Sequence, residues 1–185
     1  MPSKIVRSPW TWTITALVAV LLAGGLWAFQ PWKAFTSSTV HEELPGAAPE
    51  STSSPGVTQS SGTAQPTNTP ARPHELARGQ FEDGEHATSG TARLLELPDG
   101  TRVLRLEGLA TSDGPDVHVW LSDQESGGEW GSYDDGRYIP LGKMKATHGD
   151  QNYALPEGAR IGDMRSAVLW CDRFNVAFGT ASIAI

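Results

Sequence analysis

Among the side chains beyond residue 73 with the chemistry to ligate a soft metal or to carry thiol reactions are His86, His118, Met144, His148 and Cys171. Two histidines and a cysteine with a distant methionine form the donor set of blue-copper sites. Copper-binding sandwiches place a further histidine shortly after the cysteine, and none follows Cys171. The inventory therefore argues against copper. His118 alternates with apolar neighbours and is expected to face solvent or to hydrogen-bond, while His148 in "THGD" is expected to shape a turn.

Cys171 is the only cysteine, so it can make no internal disulfide and no Cys-rich zinc site. It closes the apolar run "SAVLWC" and precedes Asp172-Arg173. One reading makes it a small core hydrophobe, because free cysteine is among the most buried residue types. The other makes it a working thiol whose pKa Arg173 would lower. Outside the cytoplasm an accessible lone thiol is prone to oxidation, so its presence there calls for burial or use.

Other chemistries lack their residues. The chain has no Gly-rich phosphate loop, nucleophile elbow or zincin motif. His41-Glu42 and His74-Glu75 each lack a second histidine four residues on. Asp123, Glu125, Glu129, Asp134 and Asp135 follow no calcium-loop spacing and read as a solvated acidic loop. A hydrolase would need a nucleophile–base pair, and none is found.

The elements that must position Cys171 follow from pattern. The chain has 185 residues and a formal charge of −7, enough for one domain plus appendages. No basic stripe is available to neutralise phosphates, which excludes a nucleic-acid partner. Lys4 and Arg7 precede a segment without charge from Ser8 through Pro31. Its stretch from Trp10 to Phe29 would span roughly 30 Å as a helix, matching a bilayer core. Trp10 and Trp12 at one end and Trp27 and Trp32 at the other sit where interfacial aromatics belong. A cleaved signal peptide is the competing reading, with Ala23-Gly24-Gly25 as a cleavage site. The length of the apolar run and the bulky residues after those glycines favour an uncleaved anchor over residues 10–32. The positive-inside rule then puts residues 1–9 in the cytoplasm and the rest of the chain outside the cell membrane.

Residues 33–73 are rich in Ser, Thr, Pro, Gly and Ala, with little to bury, and are expected to form a disordered tether. Residues 74–185 carry a charge of about −8 before histidine and show alternation with turn signals rather than a helical period. "GTARLLEL" and "TRVLRLEGL" flank Leu97-Pro98-Asp99-Gly100, a hairpin connection. "DVHVWLS" turns Val117, Val119 and Leu121 one way and His118 and Trp120 the other. The stretch from Asp123 to Arg137 reads as a long loop, and "YIPLGKMKA" and "QNYALP" as short strands. "SAVLWC" is apolar on both faces and should be a central strand. In "FNVAFGTASI", Phe174, Val176 and Phe178 should share a face. The expected fold is all-β: an antiparallel β-sandwich of about seven or eight short strands, after one transmembrane helix and the linker.

"SDGPDVHVWLS", "GDQNYALP" and "VLWCDRFNVAFGTA" resemble the DM-thirteen family, the electron-transfer DM domains, over about residues 81–185. The resemblance implies a small extracytoplasmic β domain whose characteristic cysteine, here Cys171, acts in redox chemistry. The cysteine would act as a naked thiol or as ligand to a prosthetic group such as haem. The histidine of "EHATSG", His86, is the second position the resemblance marks. It further implies a redox partner protein. Two functions follow: a membrane-tethered electron-transfer domain using Cys171, or a cell-surface binding module with Cys171 structural and Trp130, Tyr133 and Tyr138 as contact surface.

Overall fold

The computed structural model describes residues 9–30, 32–33, 36–45 and 72–183. Among these residues one helix, α1 (Pro9–Phe29), is followed by nine strands. In chain order these are β1 (Thr39–His41), β2 (His74–Asp83), β3 (Ser89–Glu96), β4 (Arg102–Ala110), β5 (Val117–Ser122), β6 (Tyr138–Lys143), β7 (His148–Ala154), β8 (Ser166–Cys171) and β9 (Val176–Ser182). They form a single sheet in the order β1-β7-β4-β3-β2-β9-β8-β5-β6, antiparallel throughout except for the parallel β1–β7 pair.

The expected sandwich of seven or eight strands is thus one curled sheet of nine. The strand that makes the difference is β2. Residues 74–80 pair with β3 and residues 81–83 with β9, so one continuous strand joins the two halves. Alternation reveals which face of a strand is buried, not whether two facing layers are separate sheets or one sheet bent round. The added strand β1 lies within the stretch expected to be tether; residues 46–71 of that stretch lie outside the described residues.

The concave side holds the main core. Leu94 of β3, Leu104, Leu106 and Leu109 of β4, Val117, Val119 and Leu121 of β5, Leu169 and Cys171 of β8 and Phe178 of β9 all pack there. The Leu97–Gly100 hairpin forms as its residues dictate: Gly100 takes φ +84°, its N–H donates to the Leu97 carbonyl at 2.9 Å, and Leu97 N donates to Thr101 O at 2.8 Å. The outer face of β8 and β5 is covered separately. Trp120, Val168, Trp170 and Ala177 form a second apolar cluster, closed by Tyr133 from the Asp123–Arg137 loop.

Candidate functional site

Cys171 ends β8, the fully buried strand flanked by β5 and β9, as the apolar run demands. Its register partners are Val117 on β5 and Val176 on β9. Its own exposure is 0%. After it the chain turns through residues 172–175, where Phe174 N and Asn175 N both donate to the Cys171 carbonyl, at 3.2 and 2.9 Å. Asn175 adopts φ 55°, a left-handed conformation that asparagine tolerates. Phe174 lies in this turn and is exposed, rather than sharing the buried face of Phe178 as the pattern suggested.

Burial pushes the Cys171 thiol up from its ordinary value, and the negative field of Asp116 adds to this. The backbone N–H groups of Phe174, Arg173 and Asp116 oppose the rise without cancelling it. The expected lowering by Arg173 does not occur: that residue acts through its backbone N–H, and loss of hydration dominates. The thiol is therefore held protonated at neutral pH.

Directly outside Cys171 lies the polar cluster of Asp116, His118 and Asp172. His118 Nε2 is 3.1 Å from Asp116 Oδ1 and 3.4 Å from Asp172 Oδ2, and Asp172 N donates to Asp116 O at 3.0 Å. Lys143 Nζ is 2.7 Å from Asp116 Oδ1. That ammonium, together with the ring, holds the Asp116 carboxyl below the usual carboxylate range. Among the described residues this is the group of three whose ligand atoms converge, within 4.8 Å of one another. The lysine already occupies the carboxylate edge that a cation would need, so the arrangement reads as an imidazole held between two acids.

The other donors named from sequence lie elsewhere. His86 packs its ring against Phe178, with centroids 4.0 Å apart, and donates its backbone N–H to the Phe178 carbonyl. His148 belongs to β7 instead of a turn, its Nδ1 2.8 Å from Thr147 Oγ1. Met144 donates its N–H to Val117 O and packs on the core edge. Of the loop acids, Asp123 caps its own loop by accepting from Arg137 N at 2.9 Å.

Sequence reasoning missed an aromatic stack. Trp170, next to Cys171, projects to the opposite face of β8 and lies on Trp120 with centroids 4.9 Å apart. Trp120 in turn lies on Tyr138 at 4.1 Å and an interplanar angle of 12°. The register explains it. Trp120 opposes Val168 on β8 and Pro140 on β6, so Trp170 and Tyr138 are its diagonal neighbours two residues along. Tyr138 is 40% exposed, so the stack runs from beside the buried thiol to the surface. Tyr133, expected at the surface, is only 1% exposed; its hydroxyl donates to Glu125 O and accepts from Gly128 N.

A curled all-β domain with one enclosed cysteine and an aromatic path to solvent, preceded by an apolar helix, is the class defined here. The chain belongs to the Electron transfer DM13 family, whose model matches residues 80–183. No curated protein and no solved structure matches it.

Haem, one of the two roles implied for the cysteine, does not fit this site. Cys171 is enclosed by core side chains, and His86 is held on Phe178, a core residue itself. The cleft beside the site, between Lys33, the 113–117 loop, Lys143 and Met144, has about 90 Å³. Small-molecule pockets run to roughly 300–1,000 Å³.

Proposed function

We propose that this chain is a membrane-anchored, extracytoplasmic electron-transfer domain in which Cys171 exchanges single electrons with a surface partner through Trp170, Trp120 and Tyr138. The carrying observation is the stack that leads from the residue beside Cys171 to a half-exposed tyrosine. A buried, protonated thiol cannot meet a partner's disulfide directly, whereas an electron can cross packed rings without any opening of the core. Family membership supports an electron-transfer role.

Electrons and protons balance in this step. A strong one-electron oxidant at Tyr138, of the high-valent metal-centre class, takes one electron from the stack. Cys171 refills the stack with one electron, its S–H bond breaks to leave a thiyl radical, and the proton passes to the Asp116 carboxylate. A one-electron reductant and the same proton restore the thiol. His86 supports Phe178 against the core in this scheme and holds no group.

The anchor rests on α1, which is long and apolar enough to cross a membrane. Lys4 and Arg7 favour an inside N-terminus and an outside domain. Photo-oxidation of the purified protein by a ruthenium polypyridyl complex tests the path. Transient tyrosyl and tryptophanyl absorbance should precede loss of the thiol, and Trp120→Leu should slow that loss at least tenfold. Equal rates in wild type and Trp120→Leu would remove the path.

A second reading is favoured by one observation, the complete burial of Cys171. In it the thiol is packing, and Trp130 and Tyr138 form part of a binding surface. Survival of the thiol under photo-oxidation selects this reading.

A further inference from the structure

We infer that the Cys171 end of the domain lies on the membrane surface at the point where α1 emerges, with Phe174 and Trp130 seated in the lipid headgroup region. This rests on α1 being a membrane anchor, as proposed above.

Lys33 is only four residues beyond the end of α1, and its Nζ donates to Gly114 O at 3.2 Å and approaches Asp113 Oδ1 at 3.5 Å. Thr36 Oγ1 donates to Asp113 Oδ2 at 2.7 Å. Four residues extend at most roughly 14 Å. The loop that leads into β5, opposite Cys171, is thus tied within that reach of the helix end. It does not float on a long tether.

The chain then continues as part of the sheet. Ser38 N donates to Thr147 Oγ1 at 2.9 Å, and β1 pairs with β7 from Thr39↔His148 to His41↔Asp150. Glu42 accepts from Lys145 Nζ and from Asn152 N, each at 2.8 Å. From the helix side, the Phe29 ring stacks on Phe174 with centroids 6.3 Å apart and 10° between planes. No residue in the apolar window of α1 is buried, so apart from the Phe29 contact the helix is left free for lipid.

Phe29 is the last residue of the apolar span and therefore sits at the interface. A ring stacked on it must share that depth. Phe174 is 42% exposed and Trp130 51% exposed. The loop carrying Trp130 is fastened to the start of β9, two residues past that turn, since Trp130 O accepts from Ala177 N at 2.8 Å. Aromatic rings are the side chains that interfaces favour. At this end Lys33 faces Asp113 and Lys143 faces Asp116, which offsets two of its carboxylates. Tyr138 pairs with Ser122 at the other end of β5 from Val117 and Cys171, so a partner at Tyr138 would meet the domain on the side away from the bilayer.

The full chain in phosphatidylcholine vesicles provides the test. In a Cys171→Ser background, an environment-sensitive label at Phe174→Cys should shift to the blue and be quenched by lipids spin-labelled near the headgroup. The same label at Glu157→Cys, beside the opposite end of β4 where Leu155 N bonds Arg102 O, should remain in water. With Cys171 retained, a short bis-maleimide should bridge Phe29→Cys to Phe174→Cys but not Phe29→Cys to Glu157→Cys. If both labels report water, or the 29–174 bridge fails in protein that floats with vesicles after an alkaline wash, the docking is overturned while the anchor stands. Protein that does not float overturns both.

Discussion

Trp170 and Cys171 are chain neighbours that occupy opposite layers of the molecule: the indole lies on Trp120 in the outer aromatic cluster, and the thiol lies in the main core with Phe178. This is the ordinary consequence of period-two geometry in β8. It has an unusual result, because the most oxidisable group of the core and the first ring of a surface-reaching stack are joined by one peptide bond.

The burial of Cys171 predicts its reactivity. In the folded protein the thiol should resist iodoacetamide at neutral pH and react only in denaturant, because the thiolate is the reacting species and burial disfavours it. Cys171→Ser places a hydroxyl in the same enclosed site and should cost about 1–3 kcal/mol in urea unfolding. Alkylation of native protein at the rate of a free thiol would contradict the site described.

The edge strand β1 depends on a glycine. Gly149 has φ +102°, and a Cβ there would lie 1.9 Å from the Val40 carbonyl oxygen. Both the backbone conformation and the contact exclude a side chain. Gly149→Ala should therefore expel β1 and destabilise the domain by more than about 1 kcal/mol. Limited proteolysis should cut between residues 36 and 45 in the variant while sparing the wild type.

Much of the sheet was legible from local pattern, and its closure was not. Val117, Val119 and Leu121 alternate against Trp120 as they do in the structure, and "SAVLWC" is central because both its faces are apolar. β2, in contrast, spans "HELARGQFED", whose stabilisation comes from pairing with both the next strand, β3, and the distant β9 instead of from a strong apolar rhythm. β1 is three residues long and exists only because β7 presents Gly149 to it. The thiol's environment was also hidden. Arg173 suggested an activated cysteine, yet the strand carries Sγ inward, where lost hydration, reinforced by the Asp116 charge, outweighs the neighbouring backbone N–H groups. The aromatic stack required the registers of β8, β5 and β6, which no single-strand pattern contains.

Tyr153 sets an alkaline limit. Its hydroxyl donates to Gln151 Oε1 at 2.6 Å and accepts from Lys145 N, and burial pushes its pKa up to about 12. Between about pH 10 and 12 the unfolded chain releases this proton while the folded domain keeps it. Stability is therefore complete below about pH 10 and falls through about pH 12, by about 2–3 kcal/mol in all. Tyr153→Phe should flatten that fall in unfolding measured across the range, while Gln151 Oε1 keeps the N–H groups of Lys145 and Ala146 as donors. An equally steep fall in the variant would mean that another group controls alkaline unfolding.

The acid limb belongs partly to Glu42, the residue that fastens the segment after α1 to β7. Burial works to raise its pKa, but hydrogen bonds from Lys145 and from Asn152 N, with the charges of Lys145 and Arg105, prevail and hold it below the usual carboxylate range. A lowered folded-state pKa contributes stability that is present above the unfolded value, roughly pH 4.3, and is lost as pH falls through the folded one. The side chain is 30% exposed, so water screens the interaction and the contribution should be about 1 kcal/mol. Glu42→Gln keeps the shape and removes the charge. At pH 7 it should unfold at slightly lower urea than wild type. Towards pH 3 the two curves should converge, because a protonated Glu42 and the amide that replaces it both lack the charge that attracts Lys145. Parallel curves at both pH values would show that the fastening relies on hydrogen bonding to the Asn152 N–H and not on the ion pair.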